Sequence, residues 1–206
     1  MRPDRVWQWS FYIGLVRETR GCSKVNAPNN NLLIIGAGQY GLVALEIAQA
    51  MGHFGEIAFL DDSFTGKVPE PAEGPSVIGS TRDIEKFADK FHYGFVAIGN
   101  PQVRCNLTEA LCSCGLTPVT LIHPTAYVSP SAQLQNGCCI EPLAAVQTGV
   151  ALGTATFVAS GAVIRHNATV GNFCHVDCSA VVQTGAIVPE YTKVPCNSVF
   201  NKEQNS

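Results

Sequence analysis

Two histidines, His166 and His175, are the residues of the second half of the chain whose side chains best suit catalysis. A neutral imidazole titrates near physiological pH, so it can take a proton from an amine or a hydroxyl as that group attacks a thioester. The same stretch has no discernible Ser/His/Asp triad, Cys/His pair or pair of carboxylates. The histidines therefore predict base-catalysed group transfer; the alternative is that each is an exposed surface residue.

Both histidines lie in a stretch whose aliphatic residues recur at every sixth position. The residue two positions before each aliphatic is small, with Val150 as the one exception. This hexapeptide repeat predicts a parallel β-helix in which three hexads form one triangular coil of about eighteen residues. The alternative is a valine-rich sandwich with chance spacing. About four coils are expected from the aliphatic positions, which are Val128, Leu134, Ile140, Val146, Leu152, Val158, Ile164, Val170, Val176, Val182, Val188 and Val194.

Stacking of the coils separates the two histidines. With an eighteen-residue coil, Thr148 lies below His166 and Thr184 above it, whereas His175 lies below Lys193, half a coil round. The histidines share a site only if prisms pack side by side. Because open repeat prisms associate as threefold trimers, we expect a homotrimer with His166 of one chain facing His175 of the next.

The first half of the chain contains a glycine turn between a predicted strand and a predicted helix. Residues 32–35 are apolar and predict a buried parallel strand, and the helical pattern ends at Gly52. Gly36, Gly38 and Gly41 form G-x-G-x-x-G between them. Gly36 permits a tight turn, Gly38 lets the backbone approach a diphosphate, and the helix N-terminus attracts anions. Such turns also serve packing alone, but in this context the pattern predicts a small Rossmann-like sheet that binds a nucleotide.

Polar residues follow the next two predicted strands at the same edge of this sheet. Asp61 and Asp62 end the second strand, where a dinucleotide fold places an acid on a ribose hydroxyl. Gly99 and Asn100 end the third, and Arg104 lies one turn into the next helix. We predict contacts with sugar or phosphate, while the alternative for Arg104 is a solvated helix residue. Three or four strands, against six in a full dinucleotide fold, favour a mononucleotide or nucleotide sugar over NAD.

Composition bounds the class of protein. The chain has 206 residues, of which 46% are hydrophobic and 14% charged, and its formal net charge is -3. This suits one or two compact domains, and the lack of a basic run argues against a nucleic-acid binder. The nine cysteines lack metal-ligand spacing, so we predict reduced thiols in a cytoplasmic protein without a metal. A zinc site at Cys112 and Cys114 is the alternative.

We divide the chain into an N-terminal extension (1–28), a nucleotide-sugar-binding domain (29–119), a β-helix domain (120–200) and a polar tail (201–206). The extension carries an apolar run of about eleven residues that is too short to span a bilayer. We expect it to be a poorly ordered tail; an interfacial helix or an oligomer contact is the alternative.

From Asn31 to about Thr184 the chain resembles the NeuD/PglD family of sugar O- and N-acyltransferases. In that family a small Rossmann-like domain binds a nucleotide-activated sugar, and a left-handed parallel β-helix binds acetyl-CoA. The resemblance is carried by residues 36–41, 59–62, 97–100 with Arg104, 121–123, and 163–166 followed by Gly171 and His175.

The resemblance implies an acetyl-CoA-dependent N- or O-acetyltransferase acting on a nucleotide-linked amino sugar in bacterial surface-glycan synthesis. His166, with Asn167 beside it, would be the general base for direct attack on the thioester. His175, Thr184 and Gly185 would hold acetyl-CoA. The two aspartates would contact the nucleoside and the glycine turn the diphosphate. It also implies a homotrimer with active sites between subunits.

Several positions depart from the family pattern. Asn167 stands where the family usually has an acidic residue, Tyr40 where a histidine is common, and Ala159-Ser160 where an Asn-Thr pair is common. The chain also ends soon after Phe200. These departures favour a second hypothesis, a non-catalytic nucleotide-sugar-binding trimeric scaffold with a degenerate acetyl-CoA site. A third, an O-acetyltransferase acting on a small alcohol such as serine, leaves the glycine turn unused.

Overall fold

The structure is a computed structural model and describes residues 30–63, 65 and 75–201. The predicted N-terminal extension and most of the polar tail lie outside these residues. Within the described ranges, no helix is both long and apolar enough to cross a membrane.

A five-stranded parallel sheet forms the first half of the described chain. Its strands are β1 (Leu32–Ile35), β2 (Ile57–Leu60), β3 (Val77–Gly79), β4 (Tyr93–Val96) and β5 (Thr117–Pro118). They pair in the order β3-β2-β1-β4-β5, so the order reverses between β1 and β4. All four residues of β1 are fully buried, as an unbroken apolar run in a parallel sheet predicts. In such sheets ligands bind at the carboxyl ends of the strands that flank this reversal.

Helices cover this sheet. They are α1 (Gln39–Met51), α2 (Ile84–Phe87) and α3 (Pro101–Ser113), and a single 3-10 turn (Thr81–Asp83) precedes α2. The predicted end of α1 is confirmed, because Gly52 adopts φ +66° and its N–H donates to the carbonyls of Ala48 and Gln49.

One prediction for this half needs correction. The sheet has five strands, not three or four, because β3 and β5 contain only three and two residues and show no hydrophobic period. The short helix α2 ends at Phe87. Ser80 and Asp83 form a capping box at the start of the 3-10 turn that precedes it.

The second half is a triangular prism of short parallel strands in three sheets. The first sheet contains β6 (Leu121–Ile122), β9 (Cys139–Ile140), β12 (Phe157–Val158), β15 (His175–Val176) and β18 (Lys193–Val194). The second contains β7 (Tyr127–Val128), β10 (Ala145–Val146), β13 (Val163–Ile164), β16 (Val181–Val182) and β19 (Val199–Phe200). The third contains β8 (Gln133–Leu134), β11 (Ala151–Leu152), β14 (Thr169–Val170) and β17 (Ile187–Val188).

The prism confirms the predicted β-helix. Val146 pairs with Ile164 and Ile164 with Val182, so one coil contains eighteen residues. All the predicted aliphatic positions lie in the prism core or, for Leu134, pack against it. Burying each one is worth roughly 1.5 to 3 kcal/mol.

Left-handed backbone marks the corners of the prism. From Gly137 to Asn197 every sixth residue has a positive φ, and the position that is small in every hexad except at Val150 follows it directly. Most of these corner residues are not glycine, for example Leu143 and Phe173. The corners were therefore not predictable from glycine positions.

The outward side of the first prism sheet packs against the Rossmann-like half. Leu121, Cys139 and Phe157 point away from the prism axis and join the core formed by β1 and α1. Phe157 stacks on Phe95 of β4 with ring centroids 5.8 Å apart. The two halves thus share one apolar interface, which fixes the carboxyl end of β4 against the prism.

Candidate active site

The glycine turn places backbone at the carboxyl end of β1. Gly36 has φ +100°, and a Cβ on Gly41 would lie 2.2 Å from the carbonyl oxygen of Gly36, so the turn and the start of α1 are in close contact. A Cβ on Gly38 would meet nothing within 4 Å. Gly36 and Gly41 therefore shape the turn, and Gly38 leaves open space at the start of α1 for an approaching ligand.

Asp61 lies beside this turn, whereas Asp62 points elsewhere. The backbone N–H of Ala37 donates to Oδ2 of Asp61 at 2.8 Å, and this hydrogen bond is the main reason that the pKa of Asp61 is lowered. Asp62 instead accepts from the backbone N–H and hydroxyl of Thr81 at 3.0 and 2.8 Å. Of the two predicted nucleoside contacts, Asp61 is the one held at the glycine turn.

Gly99 and Asn100 lie where β4 leads into α3. Asn100 is the N-cap of α3, and its Oδ1 accepts from the N–H groups of Gln102 and Val103. Pro101 at the first helical position suits this start. Asn100 was predicted to contact sugar or phosphate, but its side-chain oxygen instead accepts these two N–H groups of the helix N-terminus. Gly99 lines the cavity described below.

Arg104 lies in neither of the two environments that the sequence suggested, contact with a sugar or phosphate and exposure to solvent. Its side chain is 0% exposed, so it is not a solvated helix residue. Nε donates to the carbonyl oxygen of Ala155 at 2.9 Å, and Nη2 to those of Phe173 and Cys174 at 2.6 and 3.3 Å. Nη1 donates to the carbonyl oxygens of Ile98 and Gly99 at 2.8 and 3.0 Å.

These bonds use all five N–H donors of the guanidinium. The group also lies over the ring of Phe157, 4.3 Å from its centroid, and burial lowers the pKa of Arg104 to about 10. Arg104 therefore has no free donor for a substrate phosphate, which corrects the predicted contact. It joins the loop after β4 to two corners of the prism.

His166 lies at an exposed corner between the second and third prism sheets. Its Nε2 is 3.2 Å from Oγ1 of Thr184, and its carbonyl accepts from the N–H of Gly185 at 3.1 Å. Its own backbone N–H donates to Oε1 of Gln147. Asn167 occupies the left-handed corner at φ +59°, a conformation that asparagine tolerates better than most residues. The structure thus places four predicted residues together: His166, Asn167, Thr184 and Gly185.

An open hollow of about 430 Å³ lies against this corner. Besides His166 and Asn167 it is lined by Tyr127, Gln147 and Thr148. These residues come from three successive coils. The six-residue period alone predicts that these coils stack on one another.

His175 lies on a different face of the prism and is not an exposed groove residue. It is 5% exposed, because the outward side of β15 is covered by Tyr40 of α1. The Tyr40 hydroxyl is 3.5 Å from Nδ1 of His175, and Phe157 contacts the same ring. Burial lowers the pKa of His175 to about 4, so the imidazole is neutral at physiological pH.

A cavity of about 220 Å³ joins the two halves next to His175. Gly99 and Tyr40 line it from the Rossmann-like half, and Lys193 lines it from the prism. Lys193 pairs with Asp177 at 3.0 Å. Within one chain the cavity contains His175 but not His166, so the two predicted catalytic regions remain on separate faces.

Sequence reasoning did not assign Tyr40 or Asp177 to the site. Tyr40 was visible only as a departure from the family pattern. Asp177 had no signal beyond lying two residues after His175, where the strand turns a corner. In the described part of the chain, no group of three or more histidines, cysteines or acidic residues is placed to hold a metal ion.

Comparison with known proteins extends this description. Residues 31–111 match the family described as the PglD N-terminal domain. The chain is 30% identical over 125 residues to GDP-perosamine N-acetyltransferase of Escherichia coli O157:H7. That alignment covers 58% of this chain and 55% of the relative, so the chain matches about half the length of that protein.

Solved structures match over both halves of the chain. The acetyltransferase domain of PglB from Neisseria gonorrhoeae FA1090 is 34% identical with a TM-score of 0.69, covering 83% of this chain and 88% of that one. The same domain in complex with acetyl coenzyme A is 31% identical with a TM-score of 0.69, covering 84% and 94%. A mutant GDP-perosamine N-acetyltransferase from Caulobacter crescentus, in complex with CoA and GDP-perosamine, is alike in fold at 21% identity and a TM-score of 0.61, covering 87% and 93%.

Proposed function

Because the chain belongs to the NeuD/PglD family of sugar acyltransferases, we propose that it transfers an acetyl group from acetyl-CoA to a nucleotide-linked amino sugar. The similarity to a GDP-perosamine N-acetyltransferase favours an amine as the acceptor over a hydroxyl. The similarity to a domain solved with acetyl coenzyme A favours that acyl donor. Surface-glycan synthesis in the bacterial cytoplasm is the setting that we propose for the reaction, and the eight cysteines among the described residues, all free, suit a reducing compartment.

The observation that carries the proposal is the cavity between the halves. One wall is Gly99, at the carboxyl end of β4, where an open sheet of this order binds its ligand. The opposite wall is the prism strand that bears His175. A nucleotide held at the glycine turn beside Asp61 would extend its sugar into this cavity. The anionic diphosphate would meet the N-terminus of α1.

In the proposed reaction the amine of the sugar attacks the carbonyl carbon of the thioester. The nitrogen–carbon bond forms, the carbon–sulfur bond breaks, and CoA leaves as its thiolate. His166 takes the proton that the amine loses and returns it to the thiolate. Transfer is direct, without an acyl-enzyme. Thr184 holds the His166 ring. Backbone N–H groups of the coils would hold the negative charge that develops on the thioester oxygen.

We propose that the active unit is a homotrimer, because His166 and His175 do not meet within one chain. The outward residues of the second prism sheet form an apolar stripe: Tyr127, Ala145, Val163, Val181 and Val199. Tyr127 and Val199 are 54% and 48% exposed, and Leu143 at the neighbouring corner is 72% exposed. A second prism packed on this stripe would bury these side chains and bring the His166 corner to a subunit boundary. Light scattering tests the trimer directly.

A non-catalytic scaffold is the second candidate, and Asn167 is the observation that favours it. An acidic residue beside the base would raise the basicity of the imidazole, whereas an amide adds no charge. Calorimetry separates the two candidates, because a scaffold takes up the nucleotide sugar but gives no heat with acetyl-CoA.

The test of the proposed function is a free-thiol assay of CoA release with acetyl-CoA and a panel of UDP- and GDP-linked amino sugars. CoA release that depends on one sugar is the expected result. A folded trimer that binds a nucleotide sugar but releases no CoA with any member of the panel would overturn the proposal and favour the scaffold.

A further inference from the structure

Two of the free cysteines occupy the same position on adjacent coils of the prism. Cys178 and Cys196 are separated in the sequence by the length of one coil, as are the paired residues His175 and Lys193 just before them. Both thiols are free, and both residues are exposed. They lie at the corner between the first and second prism sheets. The repeat therefore stacks two thiols, one above the other, on the outside of the described chain.

Backbone hydrogen bonds fix this register on both sides of the pair. The N–H of Asp177 donates to the carbonyl of Val194 at 3.0 Å. The N–H of Asn197 donates to the carbonyl of Cys178, also at 3.0 Å. Neighbouring parallel strands place equivalent Cα atoms about 4.8 Å apart. A disulfide joins Cα atoms about 4.4 to 6.8 Å apart and Cβ atoms about 3.5 to 4.5 Å apart. Two side chains on an exposed corner therefore need to close by only a fraction of an ångström to form one.

We propose that Cys178 and Cys196 form a reversible disulfide when the protein meets a small disulfide oxidant such as oxidised glutathione. The thiolate of one cysteine attacks a sulfur of the oxidant, forms a mixed disulfide and releases one glutathione thiolate. The thiolate of the other cysteine then attacks the protein sulfur of that mixed disulfide and displaces the second glutathione. The protein loses two electrons and two protons, and the oxidant becomes two molecules of reduced glutathione.

The surroundings of the pair keep it a dithiol until such an oxidant is present. Partial burial raises the pKa of Cys178, and the charges of Glu141 and Asp177 raise it further, so the thiol stays protonated at neutral pH. The thiolate is the form that attacks a disulfide, so oxidation is slow at neutral pH. Slow oxidation agrees with a pair that is reduced in a reducing compartment and cross-linked only under oxidative conditions.

The disulfide would cross-link the coil that borders the cavity between the two halves. Lys193, which lines that cavity, lies in the loop that the bond would close. Asp177 pairs with Lys193 at 3.0 Å and accepts the backbone N–H of Cys178 at 2.8 Å. The bond would therefore fix β18 on β15 beside this ion pair. The cross-link does not depend on the proposed acetyl transfer, because contacts within the chain position both cysteines.

The test is peptide mapping of the whole chain after incubation with oxidised glutathione at about pH 8, where more of each thiol is ionised. Remaining thiols are alkylated before digestion. Trypsin cleaves after Lys193, so the two cysteines fall in the separate peptides 166–193 and 194–202. We expect these two peptides to be joined by a disulfide in the oxidised wild type and to separate after reduction with dithiothreitol.

Two serine variants assign the bond. Cys178→Ser should not give the joined peptides, whereas Cys112→Ser, which removes another exposed thiol, should still give them. Joined peptides from Cys178→Ser would overturn the proposal, because Cys174 in the same peptide would then be the partner. Wild type that carries only glutathione adducts, or that is linked between two chains on a non-reducing gel, would overturn it as well.

Urea unfolding gives a second measurement. A disulfide that closes one coil restricts the unfolded chain, so oxidised wild type should unfold at a higher urea concentration than reduced wild type. Cys178→Ser should show no such difference after the same treatment. An equal midpoint for the reduced and the cross-linked wild type would contradict the claim that the bond fixes β18 on β15.

Discussion

Nε2 of His166 lies 3.2 Å from Oγ1 of Thr184, the residue one coil further along the prism. The repeat fixes this pairing, because residues eighteen apart stack at the same corner. A hydroxyl at that position can orient the imidazole without changing its charge. The proposed base and the residue that holds it are thus determined by the period of the sequence.

Replacing Thr184 tests this contact. Thr184→Val removes the hydroxyl at nearly constant shape, and Thr184→Ser keeps it. We expect kcat to fall about threefold to tenfold in the valine variant, since one hydrogen bond is worth about 0.5 to 1.5 kcal/mol. The serine variant should retain most of the activity. Equal activity of the two variants in the CoA-release assay would show that the hydroxyl does not orient the base.

Burial of His175 makes folding stability depend on pH. The pKa of His175 is about 4 in the folded protein, whereas it is about 6.5 in the unfolded chain. Between these two values the unfolded chain binds a proton on His175 and the folded chain does not. Stability should therefore be highest above pH 6.5 and fall by about 3 kcal/mol between pH 6.5 and pH 4. Asp177 stays ionised in this window, because hydrogen bonds that outweigh its burial lower its pKa to about 2.

Urea unfolding at pH 7 and at pH 4.5 measures this effect in wild type and His175→Gln. The glutamine variant should lose less stability on acidification, whatever its stability at pH 7. The same pH dependence in both proteins would show that His175 is not the group responsible.

Arg104 should be essential for stability. Arg104→Met would remove the guanidinium donor from five backbone carbonyls at the interface between the halves, of which that of Cys174 still accepts from the N–H of Phe157. Each buried, unsatisfied carbonyl costs about 1 to 3 kcal/mol. Because the surrounding backbone can relax to satisfy part of this loss, we expect the free energy of unfolding to fall by about 4 kcal/mol or more. Urea unfolding measures it, and exposed Arg82→Met is the control. A loss below about 1 kcal/mol would mean that the carbonyls find other partners.

The prism core gives a prediction about the fold itself. Val158 is 0% exposed and lies between Ile140 and Val176 on adjacent coils. Val158→Asp would bury a carboxylate among aliphatic side chains, so we expect the prism to unfold. Gln133→Asp, at an exposed outward position, should leave the fold intact. Thermal melts followed by circular dichroism compare the two, and an unchanged melt of Val158→Asp would contradict the core position of this residue.

Local periodic patterns were readable in the sequence. The six-residue period predicted the prism, and the glycine turn between an apolar strand and a helix predicted the start of the sheet. The stacking of Thr184 on His166 followed from the same period. These features depend on residues that are close in the chain or separated by a fixed repeat.

Features that depend on how the two halves pack were not readable. The partners of Arg104 are backbone carbonyls up to 70 residues away, and no residue type identifies a carbonyl that will be free to accept. His175 was expected to be open to a neighbouring chain because its position on the prism is outward. Tyr40 covers it, and the sequence gives no indication of which face of the prism the sheet occupies.

The central claim is that this chain acetylates a nucleotide-linked amino sugar with His166 as base. The most direct measurement follows carbon-13-labelled acetyl from acetyl-CoA into the sugar by mass spectrometry, in wild type, His166→Ala and the exposed control His53→Ala. We predict labelled product in wild type and control, and at least about a 100-fold slower transfer in folded His166→Ala. Full transfer by His166→Ala would contradict the assignment of His166 as the base. If none of the three proteins produced labelled sugar, the proposed acetyltransferase activity would be contradicted.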